Sequence, residues 1–146
     1  MTHSGKTYVL TGVSSGVGAA VAADLAARGA RVIGIDRVEP KAAVAGFYRC
    51  DLTDPAQIDA TVAAISGPID GLVNIAGVPG SLPVETVVKV NYLAVRRMTE
   101  ALLPRLSDFG AVVNVASTAG ANWRARADLV RSLIAVEGWE AGLKHF

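Results

Sequence analysis

Short apolar runs alternate along this chain with longer segments in which apolar residues recur at helical spacing. Runs rich in Val, Ile and Leu that are bounded by Gly, Pro or Asp predict buried strands. The five predicted strands cover residues 7–10, 31–36, 46–50, 69–75 and 110–117. The predicted helices cover 19–28, the stretch from 55 to the break at 67–68, 84–103 and, with breaks at Gly138 and Gly142, 123–146. This alternation predicts an α/β fold, a doubly wound parallel sheet in a single domain over residues 1–146.

One polar residue interrupts the apolar stripe of the helix predicted at 84–103. Asn91 falls on that stripe between Val87 and Val95. A buried Asn costs about 1–3 kcal/mol unless its hydrogen bonds are met, so the sequence predicts a partner for it. A structural Asn bonded to backbone and a functional Asn both fit the pattern at this point.

Composition and charge exclude several classes of partner. The chain has 146 residues, 14 basic and 13 acidic, with a net charge of +1 and no basic tract, which argues against nucleic acid or an anionic membrane surface. No apolar run reaches membrane-spanning length. The only cysteine is Cys50, which rules out an intrachain disulfide and favours a reducing, cytoplasmic compartment. Cys50 has no metal-ligand spacing with His3 or His145, so no metal site is predicted.

A glycine-rich turn follows the first predicted strand and precedes the first predicted helix. It runs from Thr11 to Gly18 as Thr-Gly-Val-Ser-Ser-Gly-Val-Gly. Glycines at such a turn allow close approach to an anion, and free N–H groups and the helix dipole favour phosphate there. The spacing differs from the common dinucleotide fingerprint, and a purely structural turn remains an alternative.

An acidic residue closes the second predicted strand at the position where a nucleotide-binding βαβ unit contacts ribose. Asp36 lies 18 residues beyond Gly18, where a carboxylate accepts hydrogen bonds from the adenosine ribose and repels a 2′-phosphate. This favours NAD over NADP. Arg37 could instead accept the phosphate, or simply pair with Asp36 at a solvated strand end.

Several motifs together resemble the short-chain dehydrogenase/reductase family in order and spacing, over residues 7 to about 120. They are the glycine turn at 11–18, Asp36, Asp51-Leu52, Asn74-Ile-Ala-Gly77, Asn91 and Val115-Ala-Ser117. The resemblance implies a Rossmann-type domain that binds NAD, or less favourably NADP, and moves hydride between nicotinamide and a secondary alcohol or ketone. The cofactor-binding residues that it implies are Gly12, Ser14, Ser15, Gly16, Val17, Gly18, Asp36, Arg37, Asp51, Leu52, Asn74, Ala76 and Gly77.

The resemblance also implies two catalytic residues. Ser117 would hydrogen-bond the substrate carbonyl oxygen, and Asn91 would bind a water that relays protons. Asp51 would take the adenine amino group, although it could equally cap the following helix. Ser117 and Gly77 are also ordinary residues for a strand end or turn.

The chain departs from the family at the general acid/base. The family's Tyr, followed four residues later by Lys, falls by its usual spacing at 128–133, and neither residue is present there. Lys144 is the only lysine after Ser117, and no tyrosine follows Ser117. We expect the chain to be the N-terminal part of a longer enzyme and inactive alone. The alternative is a nucleotide-binding or scaffold module without turnover.

Two further expectations come from the resemblance. The helical segment at 123–146 is similar to the start of an insertion found in a subgroup that includes 3α-hydroxysteroid dehydrogenase/carbonyl reductase. The helix at 84–103 is similar to the one that forms the family's dimer or tetramer interface. Val90, Leu93 and Leu103 lie off its main stripe and need cover, which favours a homo-oligomer if the chain is intact.

Overall fold

The computed structural model describes residues 2–146 as a five-stranded parallel sheet with helices on both faces. The strands are β1 (Thr7–Thr11), β2 (Arg31–Asp36), β3 (Gly46–Arg49), β4 (Ile69–Asn74) and β5 (Leu106–Asn114). The α-helices are α1 (Gly16–Ala27), α2 (Pro55–Ala64), α3 (Val84–Val88), α4 (Ala94–Leu102), α5 (Ala127–Ala135) and α6 (Trp139–Lys144). The strand order is β3-β2-β1-β4-β5, and every neighbouring pair is parallel. The predicted α/β doubly wound architecture is therefore confirmed.

The sheet has apolar cores on its two faces. One is small and packs α1 against β1 and β2, through Leu10, Val13, Ala22 and Val32. The other is larger and packs α2 and α4 against the sheet, through residues that include Ile58, Leu72, Met98 and Leu102, and Trp139 of α6 also belongs to it. Burial on both faces explains why the central strands read as continuous apolar runs.

The last strand starts and ends earlier than the sequence pattern predicts. β5 covers Leu106–Asn114 instead of 110–117, with a register shift against β4 between the pairs at Ile69 and Gly71. The shift inserts extra residues into β5, as a β-bulge does, so the strand begins before Gly110. Ser117 therefore lies three residues beyond the strand.

The helix predicted at 84–103 is one continuous helical run with a wider turn inside it. A π-helical turn, Lys89–Leu93, separates α3 from α4. Val90 and Leu93, which were expected to need cover from a second copy, are buried by the chain itself, whereas Leu103 is exposed. A residue inserted by a π turn rotates the following positions about the helix axis, which the 3.6-residue period does not anticipate.

The C-terminal segment packs on this helical run. The Tyr92 hydroxyl donates to the carbonyl of Leu133 at 2.9 Å, and Arg96 donates to the carbonyl of Val136 at 2.6 Å. Gly138 breaks the segment as predicted, with a φ of 84°. The predicted break at Gly142 is wrong, because that residue lies inside α6, where a Cβ would come within 2.7 Å of Leu93.

Candidate active site

The phosphate turn, residues Gly12–Gly18, connects β1 to the start of α1. Ser15 is the residue before the helix, and its side chain makes no capping hydrogen bond. The first turn of α1 carries no acidic residue. The N–H groups at this helix start therefore lack the anionic or side-chain partners that usually satisfy them, and they can bind an anion.

Two glycines of the phosphate turn occupy positions that exclude a side chain. Gly12 has a φ of 78°, and a Cβ there would lie 2.9 Å from the backbone of Ala76. A Cβ at Gly18 would overlap the carbonyl oxygen of Gly12. The backbones at Gly12, Gly18 and Ala76 therefore come so close together that only glycine fits at positions 12 and 18.

Thr11 joins the phosphate turn to the end of β4. Its buried hydroxyl oxygen accepts the N–H groups of Ile75 at 3.0 Å and Ala76 at 3.1 Å. These two N–H groups lie just beyond the strand, where ladder bonds end. Thr11 thereby fixes the segment that follows β4 against the turn.

Asp36 lies at the end of β2, and its carboxylate faces the phosphate turn. Its Oδ2 accepts the N–H of Ser14 at 3.0 Å, and its Oδ1 accepts the N–H of Val38 at 3.1 Å. Partial burial acts to raise the pKa of Asp36, but the hydrogen bonds from Ser14 and from its own loop outweigh burial, so the pKa lies below its ordinary value. The carboxylate is thus ionised at neutral pH.

A cleft of about 450 Å³ opens at the carboxyl ends of the strands, beside the phosphate turn. The predicted cofactor residues that line it are Gly12, Ser14, Ser15, Gly16, Val17, Gly18, Asp36, Arg37, Asp51, Leu52, Ala76 and Gly77. The structure thus brings together residues from four separate segments of the chain. This is the edge of an open parallel sheet at which ligands bind.

Asp51 lies in the segment between β3 and α2 and has local hydrogen-bond partners. Its Oδ1 accepts the N–H of Thr53 at 2.9 Å and the Thr53 hydroxyl at 2.8 Å. Asp54, not Asp51, caps α2, through the N–H of Ala56 at 2.9 Å. The carboxylate of Asp51 stays at the cleft with its second oxygen available.

Asn74 is the one predicted cofactor residue that does not line the cleft. It is 3% exposed, and its Nδ2 donates to Thr99 at 3.1 Å and to Asn114 at 2.8 Å. Its Oδ1 has no partner within residues 2–146. These contacts place its side chain between β4, β5 and α4, where it ties the sheet to the helix.

Asn91 is exposed, so the expectation that it is buried on an apolar stripe is wrong. It lies in the π-helical turn, which rotates it off the stripe. Its side chain accepts the N–H of Val78 at 2.8 Å and donates to the Val78 carbonyl at 2.9 Å. The backbone partner that the sequence required is therefore the loop after β4, and Asn91 holds that loop.

Ser117 is exposed and caps a short 3-10 turn, Thr118–Gly120. Its Oγ accepts the N–H of Ala119 at 3.1 Å. A hydroxyl that accepts one bond still has its own proton to donate. None of the tyrosine hydroxyls bonds to Ser117; each has another partner, Tyr8 with His3, Tyr48 with Ala64 and Tyr92 with Leu133.

Several cleft residues escape the motif-based prediction. Some are neighbours of motif residues at strand ends, such as Ile35, Cys50 and Ile75. Leu82 and Thr86 reach the cleft from the loop after β4 and from α3. No local pattern marks these two, because their approach depends on how the loop folds back over the sheet.

Two negative findings hold for residues 2–146. None of their His, Cys, Asp and Glu side chains form a group of three or more that could hold a metal ion. No helix in this range is long and apolar enough to span a membrane.

Comparisons with known proteins extend these observations. The model of the family described as short chain dehydrogenase matches residues 6–128. Coniferyl-alcohol dehydrogenase of a Pseudomonas species is 44% identical over 142 residues, which is 97% of this chain and 56% of that protein. D-threitol dehydrogenase of Mycolicibacterium smegmatis is 36% identical over 139 residues, 79% of this chain and 54% of that protein. The chain thus spans about half the length of these curated relatives.

Solved structures share the fold. Ligand-free aldohexose dehydrogenase of Thermoplasma acidophilum matches with a TM-score of 0.70 at 24% identity, over 89% of this chain and 59% of that one. The 2-keto-3-deoxy-D-gluconate dehydrogenase of Streptococcus agalactiae matches with a TM-score of 0.65 at 26% identity, over 80% and 53%. The matched part of this chain, 80–89% of its length, therefore has the same fold as these solved structures.

Proposed function

This chain belongs to the short chain dehydrogenase family, and from that premise we propose that it binds NAD across the phosphate turn as part of an alcohol-oxidising, carbonyl-reducing enzyme. The observation that carries the proposal is the arrangement at the start of α1. The first turn of α1 contains no acidic residue, and its backbone N–H groups face a cleft that also presents the carboxylate of Asp36. This combination suits a pyrophosphate joined to an adenosine ribose.

The residues of the cleft divide between the parts of the cofactor. Gly12–Gly18 would hold the pyrophosphate, with Ser14 and Ser15 adding hydroxyls. Asp36 would accept the ribose hydroxyls, and its negative charge would oppose a 2′-phosphate, so we propose NAD over NADP. Asp51 and Leu52 would border the adenine, and Ala76 and Gly77 the second ribose.

The bound nicotinamide would supply the hydride transfer. Ser117 would donate a hydrogen bond from its hydroxyl to the substrate oxygen and so polarise a carbonyl. Asn91, by holding Val78, would position the loop on the nicotinamide side of the cleft. The names of the two relatives suggest alcohols such as coniferyl alcohol and D-threitol as candidate substrates.

Residues 118–146 contain one lysine and no tyrosine, and the three tyrosines upstream bond away from Ser117. These observations favour a second proposal for the 146-residue chain taken alone. It binds NAD but does not turn over, because the proton-transferring residue is not among its own side chains. A longer protein that contains this sequence would supply that residue.

We further propose a cytoplasmic homo-oligomer, in keeping with the buried free thiol of Cys50. The structure leaves less surface for assembly through the helical run at 84–102 than the sequence pattern suggests, since Val90 and Leu93 are covered. Leu103 at the end of α4 and Phe109 on β5 are exposed and support the proposal. Sedimentation analysis of the chain would test the homo-oligomer, and a monomer would contradict it.

Calorimetric titration of the 146-residue chain with NAD and NADP tests the cofactor proposal. We expect NAD to bind more tightly than NADP by about tenfold or more, because a 2′-phosphate would lie against the Asp36 carboxylate. Equal affinities would remove the role proposed for Asp36, and no binding of either would overturn the function.

Formation of NADH from coniferyl alcohol, D-threitol or a secondary alcohol by this chain would overturn the claim that it cannot turn over alone.

A further inference from the structure

We infer that Asp36 is a positioning residue for the phosphate turn, and that its carboxylate holds Gly12–Gly18 in the shape that receives a phosphate. This inference rests on the proposed function and adds a second role to the ribose contact. The ribose contact concerns the adenosine end of the cofactor. The positioning role concerns the pyrophosphate end, and it exists before any ligand binds.

The contacts of Asp36 reach the middle of the turn. Its Oδ2 accepts the N–H of Ser14, 22 residues upstream, at 3.0 Å. One residue earlier on the same strand, the carbonyl of Ile35 accepts the N–H of Gly12 at 2.9 Å. The end of β2 thus holds two points of the turn, one through backbone and one through the Asp36 side chain.

The second carboxylate oxygen fixes the orientation of the first. The N–H of Val38 donates to Oδ1 at 3.1 Å, so the carboxylate bridges its own loop and the phosphate turn. No salt bridge within residues 2–146 includes Asp36, and the nearby Arg49 donates to the carbonyl of Arg37 instead. The partners of the Asp36 carboxylate are therefore backbone N–H groups, and its negative charge holds them in place.

The two roles of Asp36 are compatible. Each carboxylate oxygen offers about two lone-pair sites, and each accepts one backbone N–H here. One site on each oxygen is left for a ribose hydroxyl. The carboxylate can therefore hold the turn and receive the ribose together.

Charge repulsion and positioning predict opposite effects of removing Asp36 on the binding of an anion that carries no ribose. Inorganic pyrophosphate would be repelled by the Asp36 carboxylate, so loss of that charge alone should strengthen its binding. If Asp36 holds the turn, loss of the carboxylate should weaken pyrophosphate binding, because the Ser14 N–H is released. The sign of the effect therefore separates the two roles.

The test is calorimetric titration of the 146-residue chain with pyrophosphate and with NAD, using Asp36→Ala, Asp36→Asn and the control Asp24→Ala. Asp24 lies on the exposed side of α1, where it pairs with Arg28, so its removal deletes one negative charge without touching the turn. We expect Asp36→Ala to weaken pyrophosphate binding by about tenfold, the effect of one lost charge-assisted hydrogen bond. Asp36→Asn, which keeps one acceptor, should lie between, and Asp24→Ala should stay within about twofold of the parent.

NAD binding should fall further than pyrophosphate binding in Asp36→Ala, because the ribose contact is lost as well. Unchanged or tighter pyrophosphate binding by both Asp36 variants would overturn the inference while leaving the cofactor proposal intact. Hydrogen exchange at the Ser14 amide gives a readout that needs no ligand. Exchange should speed up in Asp36→Ala and not in Asp24→Ala; equal exchange in both would also overturn the inference, even if the parent bound no NAD.

Discussion

The carboxyl edge of the sheet consists of two halves that are built differently. At the ends of β1, β2 and β3, the phosphate turn and Asp36 are held by backbone and side-chain hydrogen bonds. Beyond the end of β5, Ser117 is exposed, and its hydroxyl bonds within residues 2–146 only to its own turn. β5 is one of the two edge strands of the sheet, with β3 at the other edge, and its Phe109 is 97% exposed.

This contrast between the two halves shows which part of the site the chain organises by itself. The nucleotide half is preorganised, since its donors and carboxylate already point into one cleft. The catalytic half presents a serine whose positioning partners are not among the residues around it. Binding of a cofactor should therefore depend strongly on the first half and weakly on the second.

The largest expected effect comes from Gly18→Ala in the nucleotide half. The added Cβ would overlap the carbonyl of Gly12 and force the turn open, at a cost of about 3 kcal/mol or more. NAD affinity should fall by about 100-fold or more by calorimetry.

Gly80→Ala is the matched control for this variant. Gly80 lies in the loop after β4, does not line the cleft, and has open space where a Cβ would be. NAD affinity should stay at the parent value. If Gly18→Ala bound NAD as tightly as the parent, the phosphate turn would not be rigid. That result would contradict the proposal that the nucleotide half is preorganised.

Thr11→Val tests the connection between the phosphate turn and the segment after β4. It keeps the shape of the buried side chain but leaves the N–H groups of Ile75 and Ala76 without their acceptor. Two such unsatisfied groups should lower the free energy of unfolding by about 2–4 kcal/mol in urea titrations. Thr11→Ser, which keeps the hydroxyl, should lose less than half of that amount, and equal losses would show that the methyl group and not the oxygen matters.

Asn91→Ala should have a smaller effect, confined to the loop after β4. It removes two hydrogen bonds to Val78 at an exposed site, worth about 1 kcal/mol together. Exchange of the Val78 amide should speed up by about fivefold, and NAD affinity should drop by no more than about fivefold. A loss as large as that of Gly18→Ala would place Asn91 in the cofactor site itself.

Ser117→Ala should have the smallest effect on cofactor binding. The serine does not line the cleft, and its hydroxyl satisfies only the N–H of Ala119. NAD affinity should therefore stay within about twofold of the parent, the scale of an exposed surface substitution. A clear loss of affinity would show that the catalytic half contributes to the nucleotide site and that the two halves are not independent.

The glycine turn and Asp36 could be found from the sequence because each is a local signal at a strand end, and the pair Asp51-Leu52 was implied by the family resemblance. Their convergence follows from parallel strands, whose carboxyl ends share one edge. Asn91 could not be placed from the sequence in the same way. The π turn changes which residues share a face of the helix, and the spacing of apolar residues does not predict this turn.

The α/β class, the order of the motifs along the chain and the residues of the phosphate turn could be predicted from the sequence alone. Local backbone requirements dictate these features, since only certain residues permit a tight strand-to-helix turn. Tertiary structure alone decided that Asp36 bonds Ser14, that Thr11 holds Ile75 and Ala76, and that Asn74 faces α4 and not the cleft. Such contacts join residues more than 20 positions apart, and they depend on register, on a β-bulge and on a π turn, which the spacing of apolar residues does not encode.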